Sequence, residues 1–247
     1  MFTVVIPTFR SYDTLLKSLK SCQHPLIKEI IVVDDNNKEE RELFKKESVK
    51  DNIEILFNNK NIGVTASRNK GYFRSKQEFV IFLDSDDELM TDRLSMAAEI
   101  ISKSSSDIFL FSTQTHGVSN SNFPNKFIDN YIGLFSMANS GERLLIIRKN
   151  NFKPFLGMLR GHELCGLFLW GVKSNAVFEW QPLSLREYNQ GNLSSLSGQR
   201  LGKERASLIS FGHKIISTHL FTLGKYWYSL KYFIKAFYYD YKSNCSR

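Results

Sequence analysis

Long apolar runs are missing from this chain of 247 residues. Nowhere are there the roughly 18 consecutive apolar residues that a membrane-spanning helix requires. Cysteine is scarce too: Cys22, Cys165 and Cys245 are an odd number, far apart, with no C-x-x-C pair. Such usage speaks against a disulfide framework and a thiolate zinc site, and it suits a reducing cytoplasm. A basic segment leading into an apolar one is also absent from the start, where FTVVIP enters a strand pattern at once, so no signal peptide is expected. No internal repeat divides the chain.

What is present is ordinary for a globular protein: 42% hydrophobic and 23% charged residues. The length allows one large α/β domain or two small ones. The formal net charge of +8 is unevenly placed. From Arg200 onward there are nine Lys or Arg and two acids, a net of +7, which leaves +1 for residues 1–199. A nearly neutral body with a basic appendage suggests an anionic surface as the appendage's neighbour.

The first half alternates buried-strand and helix signals. Strands are expected at Thr3–Ile6, Glu29–Val33, Ile53–Phe57, Phe79–Leu83 and Asp107–Ser112, with helices over Tyr12–Cys22, Val64–Ser75 and Thr91–Ser102. Uninterrupted apolar strands separated by helices imply a parallel sheet covered on both faces, with ligands beyond the carboxyl ends of the strands. Residues 113–142 read as loops around a weak helix, and Leu144–Arg148 as a strand. A short helix follows over Gly161–Gly171, then two strand-like runs, Ala176–Trp180 and Leu183–Tyr188. A Gly/Ser-rich loop is expected from Gln190 to Gly202, and a helical stretch to the end.

Acids collect at two strand ends. FVIFLDSDDEL (79–89) stops an apolar run on Asp84, Asp86 and Asp87, and crowded carboxylates repel one another. A D-x-D there can hold a hard divalent cation, Mn²⁺ or Mg²⁺, leaving other positions to water and phosphate oxygens. Such an ion would neutralise a diphosphate leaving group. The competing reading is a helix cap for the segment that follows. The DDNN run, Asp34–Asn37, is either an acidic turn or a carboxylate and amides placed to meet a nucleobase. In NIGVTASRNKG (61–71), Gly63 permits a tight turn, while Arg68 and Lys70 bring positive charge to a helix start. That suits a nucleotide phosphate or base, or simply a solvated basic face.

In this order VVIPTFR, EIIVVDDNN, NIGVTASRNKG and VIFLDSDDELMTDRL resemble the consecutive signatures of family-2 glycosyltransferases, in register from residue 2 to about residue 103. The resemblance implies a GT-A fold: a mixed, mostly parallel sheet flanked by helices, with a C-terminal helical extension. It divides the chain into 1–199 (1–112 for nucleotide, 113–199 for acceptor) and a basic aromatic tail, 200–247. By resemblance Pro7 and Thr8 line the nucleotide pocket, Asp35 reads uracil, and Arg68 borders base or phosphates. Asp84 lies near the ribose, Asp86 holds the metal and Asp87 supports it.

The family's chemistry is an inverting displacement, in which a carboxylate takes the acceptor hydroxyl's proton. Where the family commonly has two acids in succession, RGHELCGLFLWG (160–171) has His162 and Glu163. Glu163 matches the base position, and His162 is its neighbour or the base itself, since an unperturbed imidazole titrates near ~6.5. Arg186 or Arg200 is expected to reach the diphosphate. The implied activity is metal-dependent transfer of a hexose from a UDP-sugar to a saccharide acceptor, on a polyprenyl diphosphate, in bacterial O-antigen or capsule synthesis.

In the tail, Leu223, Trp227, Leu230, Ile234, Phe237 and Tyr241 recur at steps of four and three, flanked by Lys231, Lys235 and Lys242. This stripe suits an interfacial helix on the inner face of a membrane, or packing on the domain or on a second copy as a homodimer. Nucleic acid is not expected, because the positive charge accompanies a broad apolar stripe and no RNA or DNA motif. A nucleotidyltransferase would carry a Gly-rich loop after its first strand, where IPTFRSYD has no Gly. An aspartyl phosphatase would place its acids after the first strand, not the fourth. A sugar-nucleotide or membrane-binding relative without catalysis is the rival of another class.

Overall fold

The computed structural model describes residues 1–41, 52–119, 127–129, 142–159, 162–188 and 202–245. All of the expected loop from Gln190 to Gly202 except Gly202 itself, Arg200 included, and most of 113–142 lie outside the described residues. In chain order the elements are β1 (Phe2–Thr8), α1 (Tyr12–Ser21), β2 (Ile27–Asp34), α2 (Lys38–Arg41), β3 (Ile53–Phe57) and α3 (Val64–Arg74). There follow β4 (Phe79–Phe82), β5 (Glu88–Leu89), a 3-10 turn (Thr91–Arg93), α4 (Leu94–Ser102), β6 (Ile108–Thr115), β7 (Val118–Ser119) and β8 (Phe127–Asp129). The remainder is β9 (Arg143–Arg148), α5 (Glu163–Ser174), β10 (Phe178–Glu187), α6 (Lys203–Thr222) and α7 (Tyr226–Cys245).

One sheet runs β3-β2-β1-β4-β9-β6-β10-β5. Side chains alternate across it, so both faces of the apolar strands are used. Phe2, Val4 and Ile6 of β1 face Leu15 and Leu19 of α1 and Leu94 and Ile101 of α4. Val5 faces the other way, into a core with Tyr72 of α3, Phe168 and Trp170 of α5, and Ile216 and Leu220 of α6. Helix α3 lies so close to the sheet that a Cβ on Gly71 would sit 2.4 Å from Val5 Cγ1.

The parallel run expected from the sequence holds through β3, β2, β1 and β4. Beyond it the sheet is mixed, because β9 enters antiparallel to both β4 and β6. The two strand-like runs at 176–188 are one strand, β10, whose pairing with β6 shifts register between Gln181 and Ser184. Pro182 sits at that shift, where a residue without an N–H costs the ladder least. The C-terminal helical stretch is two antiparallel-packed helices, broken at Gly224, whose φ is +70°. Among the described residues no helix is long and apolar enough to cross a membrane.

Candidate active site

Three neighbouring parallel strands, β2, β1 and β4, end on the same side of the sheet. Thr8 closes β1 beside Asp34 of β2, and Val5 pairs with Phe82 just before Asp84. This places IPT, DDNN and DSDD on one edge. Pro7 and Thr8 are buried there, with Thr8 Oγ1 3.2 Å from Ser11 Oγ and Ser11 Oγ 2.7 Å from Ser85 Oγ.

The DDNN acids are tied into the protein. Asp34 accepts hydrogen bonds from the Tyr12 hydroxyl at 2.7 Å and from Asn36 N at 2.9 Å. Asn36 Oδ1 in turn accepts from Arg10 N at 2.7 Å. Asp35 closes the next loop: it accepts from Asn58 Nδ2 at 3.0 Å, Ile62 N at 2.8 Å and Gly63 N at 2.8 Å. Gly63 adopts φ +86°, the left-handed region that lets its N–H turn toward that carboxylate. Lys70 points back to the same loop, donating to Phe57 O at 2.8 Å and Asn58 Oδ1 at 2.7 Å. The geometry thus gives Asp35 and Lys70 structural work; Asp35 Oδ1 takes two of the three bonds, and Oδ2, which takes one, still has lone-pair capacity.

The acids after β4 meet two arginines. Arg68, on α3, donates to Asp84 through Nη2 and to Glu163 Oε1 through Nη1 at 3.0 Å. Its guanidinium also lies 5.8 Å from the Phe155 ring centre. Arg186, on β10, lies 3.1 Å from Asp87 Oδ2, 3.8 Å from Asp84 Oδ2 and 3.4 Å from Glu142 Oε2. The Arg186 and Asp87 side chains are only 5% and 1% exposed. Asp84 and Glu163 are more open, at 37% and 33%. Burial works against ionisation of Asp84, but Arg68 and Arg186 outweigh it and hold its carboxyl below the usual range. Burial likewise disfavours the Arg68 charge, and Asp84 and Glu163 more than compensate, raising its pKa.

Asp86 is half-buried at the same turn. The helix-cap reading of this cluster does not hold. Glu88 is paired in β5, and neither the 3-10 turn at Thr91 nor α4 has a side-chain cap. Among the described residues no three His, Cys, Asp or Glu side chains converge as a metal cage.

The His162–Glu163 pair splits in direction. Glu163 opens α5 and faces Arg68, drawn there across 95 residues of sequence. His162 is buried against α6, with Nε2 3.1 Å from His213 Nδ1. Burial lowers the pKa of His162. Burial, then His162, then Lys235 bring His213 down to about 3. His213 was not legible as a site residue, since one histidine within a helix carries no motif. Arg186 had only its position after the base to mark it.

The arrangement is a strand-end cluster of oxygen donors and guanidinium groups, with a partly exposed carboxylate, Glu163, facing it from a helix start. Residues 3–156 match the family model described as glycosyl transferase family 2. Among solved structures, the Staphylococcus aureus TarS segment 1–349 in complex with UDP-GlcNAc superposes with a TM-score of 0.65 at 21% identity, over 87% of this chain and 66% of that one. The fold is the GT-A fold of the nucleotide-sugar transferases, a curled mixed sheet with flanking helices. The chain belongs to glycosyl transferase family 2.

Curated relatives match over shorter stretches. A Campylobacter jejuni GalNAc(5)-diNAcBac-PP-undecaprenol beta-1,3-glucosyltransferase is 39% identical over 98 residues, 38% of this chain and 32% of its own. The cholesterol galactosyltransferase of Borreliella burgdorferi is 32% identical over 109 residues, 43% of this chain and 30% of its own. The chain thus spans about a third of the length of these relatives.

Proposed function

We propose that this chain is an inverting glycosyltransferase that moves a hexose from a UDP-sugar to a saccharide acceptor carried on a lipid diphosphate. The observation that carries the reading is Arg68, which holds Asp84 and Glu163 at once through its two terminal nitrogens. One guanidinium thereby sets the carboxylate at the base position against the acids where a nucleotide diphosphate is expected. Glu163, a third exposed, accepts the acceptor hydroxyl's proton as that oxygen attacks the anomeric carbon. Arg68 orients it. His162, turned toward α6, positions α5 and does not reach the reacting atoms in this reading. Asp35, Pro7 and Thr8 form the floor beneath the uracil.

The donor set at the strand end is all oxygen, which suits a hard cation such as Mn²⁺ or Mg²⁺ shared with phosphate oxygens. Asp86 would hold it. When bound, such an ion supplies charge neutralisation for the departing diphosphate. The similar proteins support the substrate class: the Campylobacter jejuni relative is a GalNAc(5)-diNAcBac-PP-undecaprenol glucosyltransferase, and the TarS segment was crystallised with UDP-GlcNAc. An acceptor of this kind belongs to bacterial surface-glycan assembly, in which O-antigen or capsule would be the product, at the inner face of the cell membrane.

The test is a UDP-sugar panel read by thermal shift with and without Mn²⁺ or Mg²⁺, followed by turnover of the sugar that binds. Asp86→Ala should abolish the metal-dependent part of the shift. Glu163→Gln should keep nucleotide binding and lose turnover by ~10²-fold or more. A chain that binds UDP-sugars equally well as Asp86→Ala, or turns over unchanged as Glu163→Gln, is not this enzyme.

A further inference from the structure

The last helix is built inside out. A surface helix normally buries its large apolar side chains and shows water its small and polar ones. In α7 the inward face is Ser229, Tyr232 and Ala236, and the outward face is the aromatic stripe read from the sequence. Trp227 is 76% exposed and Phe237 63%, with Leu230, Phe233, Ile234 and Tyr241 exposed beside them. At 3.6 residues per turn these side chains cover an arc of roughly 120°. The expectation that the stripe packs on the domain therefore fails.

Small residues and hydroxyls explain why the helix sits this way round. Ser217 Oγ donates to Ser229 O at 2.9 Å, Ser229 Oγ to Ser217 O at 2.9 Å, and Ser210 Oγ to Ala236 O at 3.0 Å. Close contact through small side chains with hydroxyl bonds to backbone is the packing that helix pairs use when lipid lies outside them. Next to the stripe, α6 and α7 enclose an open apolar groove of about 520 Å³ whose walls include Phe221, Tyr226, Leu230 and Phe233.

Charge identifies what covers this surface. Lys231, Lys235 and Lys242 fall at helical spacing along one edge of the stripe. On the opposite edge the one acid of α7, Asp240, is engaged by Lys214 of α6 at 2.7 Å. An apolar, Trp-bearing face with lysines along its border matches an anionic lipid surface: rings and aliphatic chains sink among the acyl chains while ammonium groups meet phosphate. A second copy of the same face would bring like charge to like charge.

We propose that the outer face of α7, with the groove it shares with α6, docks the protein on an anionic lipid bilayer. The inner side of the same hairpin holds His213, 3.1 Å from His162, the residue before Glu163. Docking therefore sets the acceptor side of the site at the lipid surface.

The experiment is flotation of the full chain with vesicles of phosphatidylcholine alone or mixed with phosphatidylglycerol. Wild type should float with the mixed vesicles, and three lysines at the surface favour them over neutral ones by about two orders of magnitude. The triple variant Trp227→Glu, Ile234→Glu, Phe237→Glu should lose that binding by at least about tenfold. Its melting temperature and UDP-sugar shift should match wild type, because none of the three touches the site. If the triple variant fails to fold, Lys231→Glu with Lys242→Glu should erase the preference for anionic vesicles. Wild type that stays unbound with both vesicles, or a folded triple variant that floats like wild type, overturns the proposal. So does a wild-type dimer that the triple variant splits and that ignores vesicles. UDP-sugar binding is read separately, so failure here leaves the proposed activity untouched.

Discussion

The sheet and the C-terminal hairpin solve opposite problems. In the sheet, burial follows hydrophobicity: β1 sends Phe2, Val4 and Ile6 to one core and Val5 to the other. In the hairpin, the inward side of α7 is Ser229, Tyr232 and Ala236, bonded to Ser210 and Ser217 of α6, and Trp227 and Phe237 are left outside. Water drives the first arrangement. The second makes sense when part of the surroundings is not water. The charged groups differ in the same sense. Around the sheet edge, buried arginine meets buried carboxylate; between α5 and α6, two imidazoles meet with their pKa values lowered.

Three measurements would break or sharpen this contrast. The largest effect belongs to the buried ion pair. Arg186→Met strands Asp87 in the interior and should destabilise the fold by about 3–5 kcal/mol in urea titration. Arg74→Met, which removes an exposed partner of Glu54, should change stability by less than ~1 kcal/mol. Equal losses would mean that burial does not distinguish the two pairs.

The histidine pair gives an intermediate effect that depends on pH. His213 has a folded pKa of about 3 against 6.5 when unfolded. Its contribution is complete above the unfolded value and is lost as pH falls from 6.5 toward 3, because the unfolded chain takes the proton first. Each such histidine adds a slope of up to about 1.4 kcal/mol per pH unit in that window. Melting curves between pH 7 and pH 5 should show this slope, and His162→Gln with His213→Gln should flatten it. An unchanged slope in the double variant would place the acid sensitivity elsewhere. Asp84 adds almost nothing between pH 7 and pH 5: its contribution is lost as pH falls through the usual carboxyl value of 3.8 and below.

The smallest effect is expected on the outer face of α7. Phe237→Ser should alter stability in aqueous buffer by no more than about 0.5 kcal/mol, since the ring is already exposed. A large loss would show that the stripe is covered by protein after all.

Much of the sheet half was legible because its apolar runs are continuous and its helices carry an unambiguous period. The convergence of Asp84, Arg68 and Glu163 was legible only as separate motifs; that Arg68 joins the other two depends on the tertiary fold bringing the start of α5 to Arg68 of α3. The antiparallel entry of β9 was not legible, since a strand's pattern says nothing of its direction. Pro182 misled in a physical way: it breaks the apolar pattern but falls at a register shift that the strand tolerates. In α7 the stripe was found, but the side it faces was not. Periodicity groups residues on one face, and the choice of which face is buried was decided by Ser229 and Ala236 fitting against Ser210 and Ser217.

The placement of β9 limits how this molecule moves. Arriving from later in the chain, it lies in the middle of the sheet and is laddered on one side to β4 and on the other to β6. The two flanks of the sheet are stitched together like two fabrics sharing a seam. Swinging them apart as jaws would unzip a run of backbone hydrogen bonds, so motion of this molecule belongs to segments at the sheet's rim and not to a hinge through its centre.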